Sequence, residues 1–296
     1  FQRIHTEVSR PHSPVKTDKL QHRTTRLVER RLAPNNILIQ LGHSAAAIHL
    51  LQDTVSGQAV LKQATDVKRV PLPLSTGVFQ TYLRMLFDLP LGLNFDNPSD
   101  ELNSVAPDLT MQEAVSNTRI LNEGVFQRRH DRVRDILMEE CAAKGIIVEK
   151  EVGFASGGMK RLDLFIDMDG NSFAVDVRIC HVASPGRQAT GQTTKSLIGA
   201  QETAKLNHYR VELSRDYPST EMVPFICTTT GGLNHAAFDL CMAIASFGQG
   251  VYQEGPLERL QIRREFETLV HRLQAAIIVG NARIINNAYH AAVCHV

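Results

Sequence analysis

The sequence contains no Cys-x-x-Cys pair, and its five cysteines, Cys141, Cys180, Cys227, Cys241 and Cys294, stand singly. That spacing excludes a zinc ribbon and an even disulfide framework, so the cysteines read as buried apolar thiols. No stretch reaches the ~18 uninterrupted apolar residues of a membrane-crossing helix. The opening FQRIHTEVSR lacks the apolar core of a signal peptide. An intracellular protein with no membrane partner is therefore expected. A G-x-x-x-x-G-K-[ST] phosphate loop is missing too; the nearest run, TTTGG at 228 to 232, reads as a strand-to-helix turn, and no nucleotide cofactor is expected. Nor is there a large excess of one charge. The net charge of +1 by itself predicts no nucleic acid, yet residues 1 to 31 hold eight Lys and Arg against three acids, a candidate basic arm.

What is present is the balance of a folded globular chain, 43% hydrophobic and 21% charged over 296 residues, a length that suits two domains. The chain begins with Phe, which reads as a piece of something longer. Residues 1 to 93 read as a basic arm and a helical connector. Apolar residues recur there at helical spacing, with a break at Pro34 and Asn35, and Ser75 or Thr76 can cap a helix through Phe79, Leu83 and Leu86. Residues 94 to 124, rich in Asn, Asp, Pro and Ser, read as the linker, most clearly up to 118. From 125 to 296 the pattern becomes regular. A helix over 126 to 143 precedes strands at 146 to 152, 161 to 167 and 173 to 180, the last two joined by a DMDGN hairpin signal. A helix over 195 to 213, a strand over 222 to 229, a helix over 234 to 247 and a closing helical segment follow. The order predicts an α/β domain with a mixed sheet.

Two carboxylates stand inside apolar strands, where an unpaired acid is expensive. Asp163 lies in RLDLFI and Asp176 in AVDVRI, thirteen residues later. If the two strands pair through the hairpin, the acids approach one another and their repulsion is relieved by a hard divalent cation, Mg²⁺ or Mn²⁺. Such an ion suits hydrolysis of a phosphodiester. The next helix carries Glu202, Lys205 and Tyr209 at i, i+3 and i+7, a face that can look at the metal, with Lys195 at its start as an alternative cation. The bland alternatives are that Asp163 pairs with Arg161 or Arg178, that Glu202 pairs with Lys205, and that Tyr209 packs under the sheet. On the first helix of the domain, Asp131 suits a helix start, His130 suits an ordinary hydrogen-bonded position, and Glu140 lies in the apolar stripe.

Taken in order, RRHDRVRDIL, RLDLFI, AVDVRI, ETAKLNHY, PFICTTTGG and GNARII resemble the C-terminal restriction-like endonuclease region of non-LTR retrotransposon polyproteins, a branch of the PD-(D/E)xK nuclease superfamily. The family pattern is an R-H-D or R-H-N helix, an R-P-D strand, a D-V-x-V/I strand, a K-x-x-x-Y helix and an apolar strand ending near T-x-G-G. No single piece is specific; the shared order carries the resemblance. Residues 60 to 93 are similar to the helical connector that follows the polymerase in these polyproteins.

The resemblance implies a restriction-endonuclease-like α-β-β-β-α-β core with Asp163 and Asp176 holding Mg²⁺ or Mn²⁺. It implies that Lys205 replaces the lysine usually two residues after the second acid, where Arg178 stands here. Arg129, His130, Arg178, Glu202, Tyr209 and Glu140 are the implied supporting residues. The implied function is nicking of DNA in the nucleus to expose a 3′ hydroxyl, with RNA or an RNA–DNA complex reached through a polymerase partner. The chain departs from the family at Leu162, where Pro is usual. Residues 94 to 129 lack Cys and His, so no zinc knuckle is expected, and no Y-x-D-D motif occurs, so this chain does not itself reverse-transcribe. The competing expectation is an inactive nuclease-fold remnant that binds nucleic acid through the basic arm.

Overall fold

The computed structural model describes residues 123–155, 159–181, 194–248 and 256–294, together with Val78, Thr81, Tyr82, Met85 and Val115. Helix α1 (Glu123–Ala143) leads into strands β1 (Ile147–Gly153), β2 (Arg161–Met168) and β3 (Asn171–Cys180). Helix α2 (Thr194–Asp216), strand β4 (Glu221–Thr228), helix α3 (His235–Ser246) and helix α4 (Pro256–Cys294) complete the order. The domain is α/β with one four-stranded mixed sheet, β1-β2-β3-β4. Strands β1 to β3 pair antiparallel, and β4 joins β3 in parallel. The parallel pair needs a long connection, which α2 supplies by crossing one face of the sheet.

The strands form where period-two patterning predicts them. β2 alternates between buried and part-exposed positions along its whole length. The β2–β3 turn is a two-residue hairpin between Met168 and Asn171 in which Asp169 and Gly170 both take positive φ, 51° and 87°. That is the primed-turn geometry an Asp-Gly pair supports, and it sets the β2–β3 register.

One face of the sheet is covered by α1, α3 and α4. Leu164, Ile166, Val175, Val177 and Phe225 pack there against Val133, Leu137, Leu240, Leu273 and Ile277. On the opposite face α2 lays Tyr209 and Leu213 over Phe154, Leu162 and Ala174. β4 is buried through its last six residues because both layers meet over it. Cys141, Cys180, Cys227 and Cys241 are buried thiols, in keeping with their isolated spacing. Among the described residues no helix is long and apolar enough to cross a membrane.

Helix α1 starts at Glu123, three residues before the expected start, so Arg129, His130 and Asp131 lie well inside it. Asp131 is therefore not stabilised by the helix terminus; it accepts from Gln127 Nε2 at 2.8 Å and pairs with Arg134 at 3.3 Å. The basic arm, most of the helical connector, most of the linker and the loop at 183 to 193 fall outside the described residues. Val115, within the span read as linker, is helical and buried.

Helices α1 and α4 approach closely at Gly280. A Cβ there would lie 2.5 Å from Arg129 Cγ and 2.9 Å from Arg129 Cβ, and Arg129 is itself buried, so neither atom can swing away. Gly280→Ala is expected to cost about 1–3 kcal/mol through overpacking, despite the better helix propensity of Ala. A denaturant titration reads the change, and an unchanged midpoint would mean that the helices separate freely.

Candidate active site

Backbone pairing between β2 and β3 runs from the hairpin to Leu164↔Val175. One step further, a side chain takes over from the ladder: Asp163 Oδ2 accepts the Val177 N–H at 2.7 Å. The carboxylate of the first strand acid thus sits against β3, beside Asp176. The second acid is buried at 5% exposure in the middle of β3. Both carboxylates belong to one site, and each raises the cost of charge on the other.

Helix α1 brings His130 to this point. Its Nε2 lies 3.1 Å from Asp163 Oδ2 and 3.1 Å from the Val177 carbonyl oxygen. Both neighbours are acceptors, so Nε2 carries the hydrogen. From the other face, α2 presents Lys205 and Tyr209 one helical turn apart. The Lys205 ammonium forms an ion pair with Asp176 Oδ2. The Tyr209 hydroxyl lies 3.0 Å from Asp176 Oδ1 and 2.8 Å from the Arg161 carbonyl. One hydroxyl hydrogen serves one of these acceptors at a time. Tyr209 also packs against Phe154, with ring centroids 5.9 Å apart.

The electrostatics of the two acids differ. Burial pushes the Asp163 carboxyl up, but the hydrogen bond and charge of His130, the Val177 N–H and Lys205 outweigh it and hold Asp163 below the usual carboxylate range. Burial wins at Asp176: helped by the charge of Asp163, it keeps the carboxyl above its ordinary value against the pull of Lys205 and Tyr209. Burial lowers His130, yet its contacts with Asp163, Asp131 and the Val177 carbonyl leave it above the ordinary value. Burial and the neighbouring Asp176 carboxylate push the Tyr209 hydroxyl up, so it stays protonated.

The His130–Asp163 pair carries a pH signature. Because the folded pKa of His130 is raised, its contribution to stability is full below the unfolded value of ~6.5 and fades as pH rises through the folded value. Asp163, whose folded pKa is depressed, contributes above ~3.9 and loses this as pH falls through its own folded value. The pair therefore stabilises most between those limits. In Asp163→Asn the charge partner goes while burial remains, so the His130 midpoint is expected to fall below ~6.5. An NMR titration of the ring protons measures it; an unmoved midpoint would remove Asp163 as the cause.

Of the residues singled out by sequence, Asp163, Asp176, Lys205, His130 and Tyr209 come together. The others do not. Asp163 pairs with His130 rather than with Arg161 or Arg178; Arg161 lies 3.8 Å from Glu151, and Arg178 is exposed on β3. Glu202 does not pair with Lys205: it accepts from Asn234 Nδ2 at 2.7 Å, because Asn234 stands at the start of α3, where its own side chain also caps Ala237. Glu140 accepts from Arg272 of α4 at 2.7 Å, which ties two helices. Arg129 turns inward, donating through Nη1 to Asn281. Lys195 is exposed at the start of α2. The main-chain N–H and C=O of Val177 are not legible as site groups in the sequence, since a backbone contribution leaves no trace in side-chain pattern.

A hard divalent ion is the group these residues suit. The candidate donors are the two carboxylates of Asp163 and Asp176, both hard oxygen ligands. Asp176 Oδ2 is buried and has Lys205 as a charge partner but no well-directed hydrogen bond, which leaves a carboxylate oxygen with unspent acceptor capacity. Among the described residues no group of three or more His, Cys, Asp or Glu is set to hold a metal ion. A two-carboxylate site matches Mg²⁺, which keeps several waters and needs one or two acids. No protein-family model matches the chain, and no curated protein matches it at a significant level.

Proposed function

We propose that this chain is a metal-dependent endonuclease that hydrolyses phosphodiester bonds of DNA, nicking it to leave a 3′ hydroxyl. The observation that carries the reading is the meeting of Asp163, Asp176 and Lys205 from β2, β3 and α2 at one point of the sheet. The element order of α1 to β4, with its mixed sheet, is the one that the resemblance to retrotransposon restriction-like endonucleases implies. Asp163 and Asp176 would hold Mg²⁺ or Mn²⁺, which supplies charge stabilisation on the phosphodiester as it is attacked.

The chain's own groups divide the remaining work. His130 fixes the Asp163 carboxylate through Nε2, and the Val177 N–H fixes the same oxygen, so the first acid is held in one orientation. Tyr209 positions Asp176 from the opposite layer. Lys205 brings a compact cation to the reacting phosphate, where it orients the water and offsets developing negative charge. In the hydrolysis the water oxygen bonds to phosphorus, the bond from phosphorus to the 3′ oxygen breaks, and a proton passes from the water side to the leaving oxygen.

The test is relaxation of supercoiled plasmid by the full chain in Mg²⁺ or Mn²⁺, repeated in EDTA. Nicking with metal and none in EDTA is the expected result; intact plasmid with both metals overturns the reading. A second reading has its own support: Asp163 is already paired with His130 and Asp176 with Lys205, so each acid has a partner within the protein. A nuclease-fold remnant that binds nucleic acid without cutting fits that pairing, and a gel shift without nicking selects it.

A further inference from the structure

Away from the acids, the facing sides of α1 and α4 enclose a cleft of about 440 Å³. Five arginines line it, Arg128, Arg129 and Arg132 from α1 and Arg272 and Arg283 from α4, although the Arg129 guanidinium itself turns inward to Asn281. On α1 these follow a stripe that also carries Val125 and Ile136; on α4 the stripe includes Val279 and Gly280. Two of the arginines are neutralised. Arg132 pairs with Glu139 at 2.7 Å, and Arg272 reaches Glu139 and Glu140 at 2.5 and 2.7 Å.

The other three are not neutralised by any acid among the described residues. Arg128 and Arg283 are exposed. Arg129 is 7% exposed, and its Nε is buried with no hydrogen-bond partner. Burial lowers its pKa to about 10, still high enough for a full charge at neutral pH. Gly280 makes this placement possible, since a side chain there would collide with the Arg129 stem. The cleft is thus left with two exposed guanidiniums, Arg128 and Arg283, beside the buried Arg129, an excess of positive charge that an anion in the cleft would offset.

We propose that the α1–α4 cleft binds the phosphodiester backbone of DNA. The guanidinium fork matches phosphate oxygens bidentately, and the apolar floor from Val125, Ile136 and Val279 suits the sugar edge between phosphates. The placement also serves the site. Arg128 and His130 lie two residues apart on α1, so the helix that lines the cleft also carries the imidazole that meets Asp163. This inference rests on the nucleic-acid reading above but not on cutting, and it puts a backbone contact on α1 and α4 in addition to the basic arm.

The experiment measures binding of the full chain to a fluorescein-labelled duplex DNA by anisotropy, in EDTA so that no cutting intervenes, over a salt series. The double variant Arg128→Ala/Arg283→Ala is compared with the parent and with Arg128→Lys/Arg283→Lys; both positions are exposed, and matching melting curves certify the fold. The Ala pair is expected to weaken binding at least about tenfold and to flatten the log–log salt slope by roughly two, near 0.9 for each phosphate no longer neutralised. The Lys pair should keep the slope, since charge sets counterion release, while losing part of the affinity that the fork provides. Parental affinity and slope in the Ala pair would overturn the cleft, as would a parent chain that binds no DNA. Displacement of the DNA by polyglutamate at equal charge concentration would assign the cleft to an acidic peptide and also overturn it. If the parent fails to nick plasmid yet shows the cleft-dependent slope, the nuclease reading falls and the cleft stands.

Discussion

Asp163→Asn and Asp176→Asn are each expected to abolish plasmid nicking, by at least about a thousandfold, near 4 kcal/mol of barrier at 1.36 kcal/mol per tenfold. The substitutions separate charge from shape. An Asn at 163 keeps an oxygen that accepts the Val177 N–H, so the junction of β2 and β3 is preserved while the negative charge needed by a divalent ion is lost. An Asn at 176 still accepts from Tyr209, and Lys205, 22% exposed, can turn its ammonium toward water rather than remain buried unpaired. Both variants should therefore melt close to the parent while losing activity. The expected pH dependence has the same origin: burial holds Asp176 partly protonated beyond the usual carboxylate range, and a metal requires the ionised form. Nicking at fixed Mg²⁺ should rise with pH through the Asp176 midpoint. Parental nicking by either Asn variant would dismiss the two-carboxylate site.

The patterning of the chain makes the strand acids visible and leaves their partners hidden, for a physical reason. A carboxylate between Leu162 and Leu164, or between Val175 and Val177, contradicts its neighbours and is conspicuous in a period-two strand. The hairpin is equally legible, because Asp169 and Gly170 are the residue types that primed turns demand. Helix α1 begins earlier than its pattern predicts because Glu123 to Val125 carry little apolar periodicity of their own. His130 looks like an ordinary histidine in sequence because its role depends on where α1 crosses the end of β2, a tertiary fact with no local signature. Glu202 misleads for the opposite reason: the i, i+3 spacing to Lys205 allows a pair, but Asn234 at the cap of α3 offers a buried donor, and Lys205 finds a buried acid. The arginine cleft joins α1 to α4, the first and last helices of the domain, so neither helix alone displays it.

Lys205→Ala is expected to remove turnover by about a hundredfold or more while leaving metal binding equal to the parent or tighter. The direction of the second effect follows from the ion pair. The Lys205 ammonium pairs with Asp176 Oδ2, one of the oxygens the ion would use, so lysine and metal would compete for the carboxylate. Removing the competitor frees that oxygen. Burial would then raise the Asp176 pKa further, which offsets part of the gain at low pH and leaves it intact above the Asp176 midpoint. Arg178 is exposed on β3, and Lys195, the alternative cation, is exposed at the start of α2, ten residues before Lys205. An arginine is a poor proton acceptor, so Arg178→Ala should weaken DNA affinity and spare the turnover number. The measurements are single-turnover cleavage at saturating DNA and Mn²⁺ binding by calorimetry for Lys205→Ala, Lys195→Ala and Arg178→Ala. A slow Lys205→Ala with undiminished Mn²⁺ affinity marks the lysine as acting on the reacting phosphate. Joint loss of cleavage and metal binding would make it a structural partner of Asp176, and full activity in Lys205→Ala would move the catalytic cation elsewhere.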